Sequence, residues 1–344
     1  MTFHQQLVLK NWMHRFFHGD DLQKLKERLG DDRYEGIEDG HTLFFGQLTA
    51  QLFDHDLITA EELARYDQNI VRHWQEITRN RNHKEGETLR MKYFQYISLL
   101  FSEIYLDWYF KRPADLLAGL NKELATYNEK ANNANQFAPY LAEDLNKVAF
   151  WNATGSGKTF LLHVNLLQYL ERFAVHKPTG KSVPDKIIIL TPNEGLSHQH
   201  LRELNDSGFG SIALFDKDHT SLPGTIEIID VNKLGDEMGD KTVAVEAFQG
   251  HNLVLVDEGH RGTGSEAGPW MRRRAALIGE GFAFEYSATF GQSVAKGNTI
   301  LKSRDKALKE KAKIITGKNL KEITTEELAA ISLDESEETQ ARFT

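Results

Sequence analysis

The sequence predicts an α/β fold, a mainly parallel sheet with helices on both faces, preceded by an α-helical N-terminal region. Three observations carry that expectation. All seven prolines fall at or after Pro113, so the first 112 residues have none, as suits a helical region. From Val148 onward, short β-branched or aromatic runs alternate with helical patterns. Between the first such run and the first helical pattern lies a glycine-rich turn, Ala153-Thr154-Gly155-Ser156-Gly157-Lys158-Thr159.

The N-terminal elements follow from local signals. Leu22, Leu25 and Leu29 recur at helical spacing and the run closes at Gly30. Thr59-Ala60-Glu61-Glu62 is a capping box, in which the threonine and the glutamate three residues on satisfy each other's orphan backbone N–H groups. From Leu89 to Phe110, leucines and aromatics cover more than one helical face, which predicts a central helix of a bundle. Its aromatics read as core packing and not as a base-stacking platform, because acids interrupt the stretch and basic partners are sparse. Asn121 to Asn135 is polar and asparagine-rich, a solvent-exposed helix end and connector.

The sheet is expected from six apolar runs: Val148-Trp151, Lys186-Leu190, Ser211-Phe215, Thr225-Val231, Asn252-Val256 and Phe282-Tyr286. Helical patterns at Thr159-Phe173 and Gly195-Leu204 separate some of them. Buried strands alternating with crossovers are the mark of a parallel sheet. The domain plan is therefore a helical region at 1–130, an α/β lobe at 131–295 and a charged tail at 296–344.

Composition narrows the classes. Hydrophobic residues at 40% and charged residues at 26% are an ordinary globular balance. A formal net charge of -9 weighs against a protein that works by coating nucleic acid, though not against one with a local basic groove. The absence of cysteine excludes disulfides and thiolate metal sites. The N-terminus lacks the apolar core of a signal peptide. The most apolar stretch, Tyr96 to Phe110, is broken by Glu103 and Asp107 and falls short of the ~20 residues a membrane span needs. A cytoplasmic protein with no membrane partner is expected.

The glycine turn has the context that a phosphate-binding loop needs, a strand before it and a helix after it. Thr154, Gly155, Ser156 and Gly157 let backbone N–H groups turn inward around a triphosphate. Lys158 would reach the terminal phosphates and the Thr159 hydroxyl would join a Mg²⁺ shell. The general pattern opens with glycine, whereas Asn152 stands at that position here.

Downstream, the apolar run ending at Val256 delivers Asp257 and Glu258 to the carboxyl end of a strand, where ligands bind in open α/β sheets. Asp257 would hold the metal through water. Glu258 would orient and deprotonate an attacking water. A third segment, Ser287-Ala288-Thr289, ends the last strand. Its hydroxyls are placed to bond the acidic box through His260 and so couple phosphate state to movement.

These segments in this order resemble motifs I, II and III of superfamily 2 helicases, and within them the DEAD/DEAH-box proteins of the type III restriction enzyme R-subunit group. The resemblance covers residues 136 to 292 and implies a first RecA-like P-loop NTPase lobe. It implies ATP and Mg²⁺ as cofactors, double-stranded DNA as partner and a restriction-modification setting, with a methyltransferase or nuclease subunit alongside. Thr191-Pro192-Asn193 and Ser197 stand where motif Ia belongs, so they would lie near the nucleic-acid backbone. Gln136 would play the adenine-reading glutamine upstream of motif I.

A helicase motor needs a second RecA-like lobe to supply an arginine finger. The stretch after Thr289 shows neither strand repeats nor that family's later motifs. The sequence is thus expected to be the N-terminal part of a larger motor, binding ATP but hydrolysing it slowly alone. A different class of function stays open, a non-catalytic nucleotide-sensing or partner-docking module, as does a remnant of a longer gene. Met271-Arg272-Arg273-Arg274 either faces a DNA groove or forms a solvated helix face. The lysine-rich tail leans to a solvated run. His198 and His200 have the spacing of metal ligands on a strand, but no third ligand is evident.

Overall fold

The structure is a computed structural model that describes residues 7–18, 22–52, 54, 56–130, 136–216, 221–235, 243–258 and 267–288, and the statements below concern these residues. His260, Thr289 and the tail at 296–344 lie outside them.

Six helices form the N-terminal region: α1 (Val8–His14), α2 (Leu22–Leu29), α3 (Leu43–Gln47), α4 (Ala60–Glu85), α5 (Tyr93–Lys111) and α6 (Pro113–Lys130). Their ends obey the local chemistry. The α4 capping box is formed, with Glu62 N–H on Thr59 Oγ1 at 3.1 Å and Thr59 N–H on Glu62 Oε2 at 3.0 Å. Gly86 ends α4 at φ 73°, a left-handed conformation natural to glycine. Pro113 opens α6 at the first helical position, where its missing N–H would have gone unused. The asparagine-rich stretch continues α6 to Lys130, with Leu124 and Tyr127 buried, and its remainder lies outside the described residues.

The α/β part holds a six-stranded sheet: β1 (Lys147–Trp151), β2 (Ile187–Thr191), β3 (Ile212–Leu214), β4 (Ile226–Asp230), β5 (Leu253–Asp257) and β6 (Phe282–Ser287). The strand order is β1-β6-β5-β2-β4-β3 and every pairing is parallel. Three helices accompany it: α7 (Lys158–His176), α8 (Glu194–Asp206) and α9 (Ala267–Ile278). This is a RecA-like α/β fold behind a helical region. All six predicted runs are strands; β2, β4 and β6 are buried at every position and β5 at all but Asp257, whereas the edge strands differ, β1 alternating buried and outward residues and β3 lying half-buried. Ile187 and Ile189 enter one core with Leu161, Tyr169 and Phe173 of α7, while Ile188 and Leu190 enter the other with Leu277 and Ile278 of α9.

The first of these cores is continuous with the N-terminal helices, running from Trp12 through Tyr96 and Ile104 to Phe284 and Tyr286. Helix α5 packs along α7, and the rings of Tyr105 and Tyr109 meet Phe282 at centroid separations of 6.3 and 5.0 Å. The aromatics of α5 are therefore core, as the interrupting acids implied. Those acids are buried against Arg172 of α7, whose guanidinium lies 2.7 Å from Glu103 and 2.9 Å from Asp107. No helix among the described residues is long and apolar enough to cross a membrane.

Candidate nucleotide site at the carboxyl edge of the sheet

Register brings the predicted motifs to one edge. Ser287 is level with Trp151, Asp257 with Tyr286, and Leu190 with Val256, so β1, β6, β5 and β2 finish together. The strand carrying Ser287 lies between the one that feeds the glycine loop and the one that feeds the acidic box. Asn152 N–H bonds Ser287 O at 3.1 Å, and the Trp151 indole N–H bonds Ala288 O at 2.9 Å, so the first and third motifs are joined directly.

The loop turns on Gly155 at φ 77° and Gly157 at φ 79°, values that tax any residue with a Cβ. Gly157 caps α7, so Lys158 and Thr159 are the first two residues of a 19-residue helix and sit at its positive end. Ser156 Oγ is buried and has no hydrogen-bond partner among the described residues. A loop with two left-handed glycines, a helix N-terminus, an orphaned hydroxyl and a lysine fits a nucleotide triphosphate.

Across the loop, Lys158 Nζ is 3.9 Å from Glu258 Oε1. Glu258 itself has φ 54°, in the left-handed region. That costs a residue with a side chain roughly 1–2 kcal/mol, and such strain collects where a side chain must be aimed. Asp257 Oδ1 accepts from the Glu258 N–H at 3.0 Å and Oδ2 meets His200 Nε2 at 3.1 Å. Lys158, Asp257 and Glu258, whose extremes are 100 positions apart in sequence, are thus within one constellation.

The motif Ia residues form a tight turn into α8. Asn193 Oδ1 caps the helix by accepting from Leu196 N–H at 3.0 Å. The hydroxyls of Thr191 and Ser197 are 2.6 Å apart and both residues are buried. Pro192 and Asn193 are half-exposed. Ser197, expected at a phosphate, spends its hydroxyl inside the turn.

Gln136 is exposed, and its amide donates to Asn128 O at 3.1 Å near the end of α6. The glutamine that touches the phosphate loop is Gln95, buried in the first turn of α5, with its Nε2 3.0 Å from Ser156 O. Its Oε1 accepts from Lys92 N–H at 2.9 Å. Of the arginine run, the described side chains are those of Arg273 and Arg274, both half-buried. Arg274 pairs with buried Glu285 at 3.0 Å, and Arg273 donates to Leu234 O at 3.4 Å. Burial pushes the Glu285 carboxyl up, against the pull of Arg274. His198 and His200 lie on helix α8 and not on a strand, so two positions apart they diverge. His198 is exposed, and no cluster of three potential metal-binding side chains occurs among the described residues.

A parallel sheet of this order, with a glycine loop capping α7 and an acidic pair on the next strand but one, defines the ATP-binding lobe of a helicase-like P-loop protein. The family described as Type III restriction enzyme, res subunit, matches residues 121–292, half of the chain. The chain belongs to that family, one of DEAD-like helicase N-terminal lobes. No curated protein matches the chain in sequence.

Proposed function

We propose that the chain is the ATP-hydrolysing lobe of a DNA helicase or translocase, acting on double-stranded DNA in the cytoplasm as part of a restriction-modification system. The observation that carries this reading is the convergence of Lys158 and Glu258, 3.9 Å apart, beside Asp257. A bound Mg²⁺·ATP would supply the transferable phosphoryl group and the charge neutralisation. The loop from Thr154 to Gly157 binds phosphate, Lys158 contacts the terminal phosphates, and Thr159 and Asp257 hold the metal shell. Glu258 takes the proton of the attacking water. Gln95 is the better-supported glutamine for the nucleotide side of the loop, given its bond to Ser156 O.

Coupling to movement runs through Ser287, with Thr289 and His260 as its partners, and the turn at Thr191, Pro192, Asn193 and Ser197 meets the DNA backbone. A second RecA-like lobe, on this polypeptide or another, completes the site with an arginine, and a methyltransferase or nuclease subunit sets the biological output. Turnover of the chain joined by a second RecA-like lobe, measured with and without duplex DNA, tests the reading. Glu258→Gln should retain ATP binding while losing turnover by about 100-fold or more. Equal turnover in that variant and the wild type would refute the assignment of the base.

A further inference from the structure

The two oxygens of Asp257 are held by different elements. Oδ1 accepts from the Glu258 amide on its own turn, and Oδ2 meets Nε2 of His200 on α8 at 3.1 Å. A carboxylate oxygen accepts, so Nε2 is the donor of this contact. Nδ1 of His200 is buried and has no hydrogen-bond partner among the described residues. The donor capacity of this ring is therefore directed at Asp257. The pair is well shielded, with side-chain exposures of 6% for His200 and 16% for Asp257. Helix α8 is the same helix whose N-cap is Asn193 in the turn after β2.

We propose that His200 is a positioning residue for Asp257, fixing the plane of its carboxylate and thereby selecting the lone pairs left for a metal-bound water. The inference rests on the reading of Asp257 as the carboxylate of the Mg²⁺ shell. Partners that hydrogen-bond a metal-holding carboxylate orient it, and their loss weakens the metal by about 10-fold or more. His200 thus ties the strength of metal binding to the seating of α8 on the sheet.

The test is ATP binding to the full chain, in EDTA and at stepped MgCl₂ concentrations. His200→Leu should raise the Mg²⁺ concentration for half-maximal binding about 10-fold, with affinity in EDTA unchanged, and His200→Gln, which keeps a donor, should stay within about 3-fold of wild type. In an Asp257→Asn background His200→Leu should add nothing to the Mg²⁺ requirement. If the leucine variant does not fold, His200→Asn, whose shorter amide falls short of Asp257, takes its place under the same criteria. Wild-type Mg²⁺ dependence in the donor-free variant overturns the proposal. So does a glutamine variant as impaired as the leucine one, or a shift that persists with Asp257→Asn. If Asp257→Asn itself leaves the Mg²⁺ dependence unchanged, the reading of Asp257 fails and the inference falls with it.

Discussion

The side-chain amide of Gln95 donates to the carbonyl oxygen of Ser156 at 3.0 Å, joining the first turn of α5 to the phosphate loop. The helical N-terminal region is thereby bonded directly to the glycine loop. Lys92, which precedes the same turn, is anchored in turn to Glu35 at 2.7 Å.

Gln95→Ala should weaken ATP binding about fivefold, the equivalent of one net hydrogen bond of ~1 kcal/mol, with the fold intact by circular dichroism. Gly157→Ala should be harsher. Its φ of 79° disfavours a side chain, and a Cβ there would collide with Gln95 Nε2. ATP titration of both variants checks the order.

Arg172 holds the interface between α5 and α7 through Glu103 and Asp107, two residues each 1% exposed. Asp107 keeps Lys111 and the Tyr66 hydroxyl as partners if the arginine is lost. Glu103 keeps none among the described side-chain bonds, and burial already pushes its carboxyl up. Arg172→Met should therefore cost about 3 kcal/mol, and adding Glu103→Gln should recover part of it. Urea denaturation of the single and double variants measures both.

His163 of α7 is fully buried, with Nδ1 2.9 Å from Ser207 Oγ. Burial first, then the neighbouring His200 and Arg81, hold its imidazole well below the usual range. The unfolded chain takes up a proton there near pH 6.5, and the folded chain does not. The neutral ring's contribution is therefore present above that pH and is lost progressively as pH falls below it. Wild type should lose stability more steeply than His163→Gln between pH 6.5 and 5, by up to about 1.4 kcal/mol per pH unit. Equal slopes in denaturation curves would contradict this.

The sheet and the phosphate loop were legible because their signals are local. Ile187 to Leu190 is apolar at every position, which only a strand covered on both faces requires, and Gly155, Gly157 and Lys158 fall within four residues of one another. What was not legible depends on long-range placement. Gln95 and Ser156 are separated by 61 positions, and His200 and Asp257 by 57, with nothing in either segment to announce its partner. Gln136 was the base-reading glutamine that the family resemblance implied, whereas the bond to the loop is made by Gln95, through the packing of α5 on α7. Arg274 belongs to an arginine run that suggests solvent or DNA, and only the facing of α9 onto β6 reveals Glu285 as its partner. The left-handed turn at Glu258 leaves no trace in sequence either, since glutamate is not a residue chosen for that conformation.

The central claim is that Lys158, Asp257 and Glu258 form one ATP·Mg²⁺ site. The most direct measurement is calorimetric titration of Mg²⁺·ATP into the wild-type chain and into Lys158→Ala, with thermal melting to verify that both are folded. The account predicts saturable one-to-one binding by the wild type and a loss of about 100-fold or more in the variant, in keeping with a charge-assisted phosphate contact in a shielded site. Wild-type affinity in a folded Lys158→Ala chain, or no binding by the wild type at all, would contradict it.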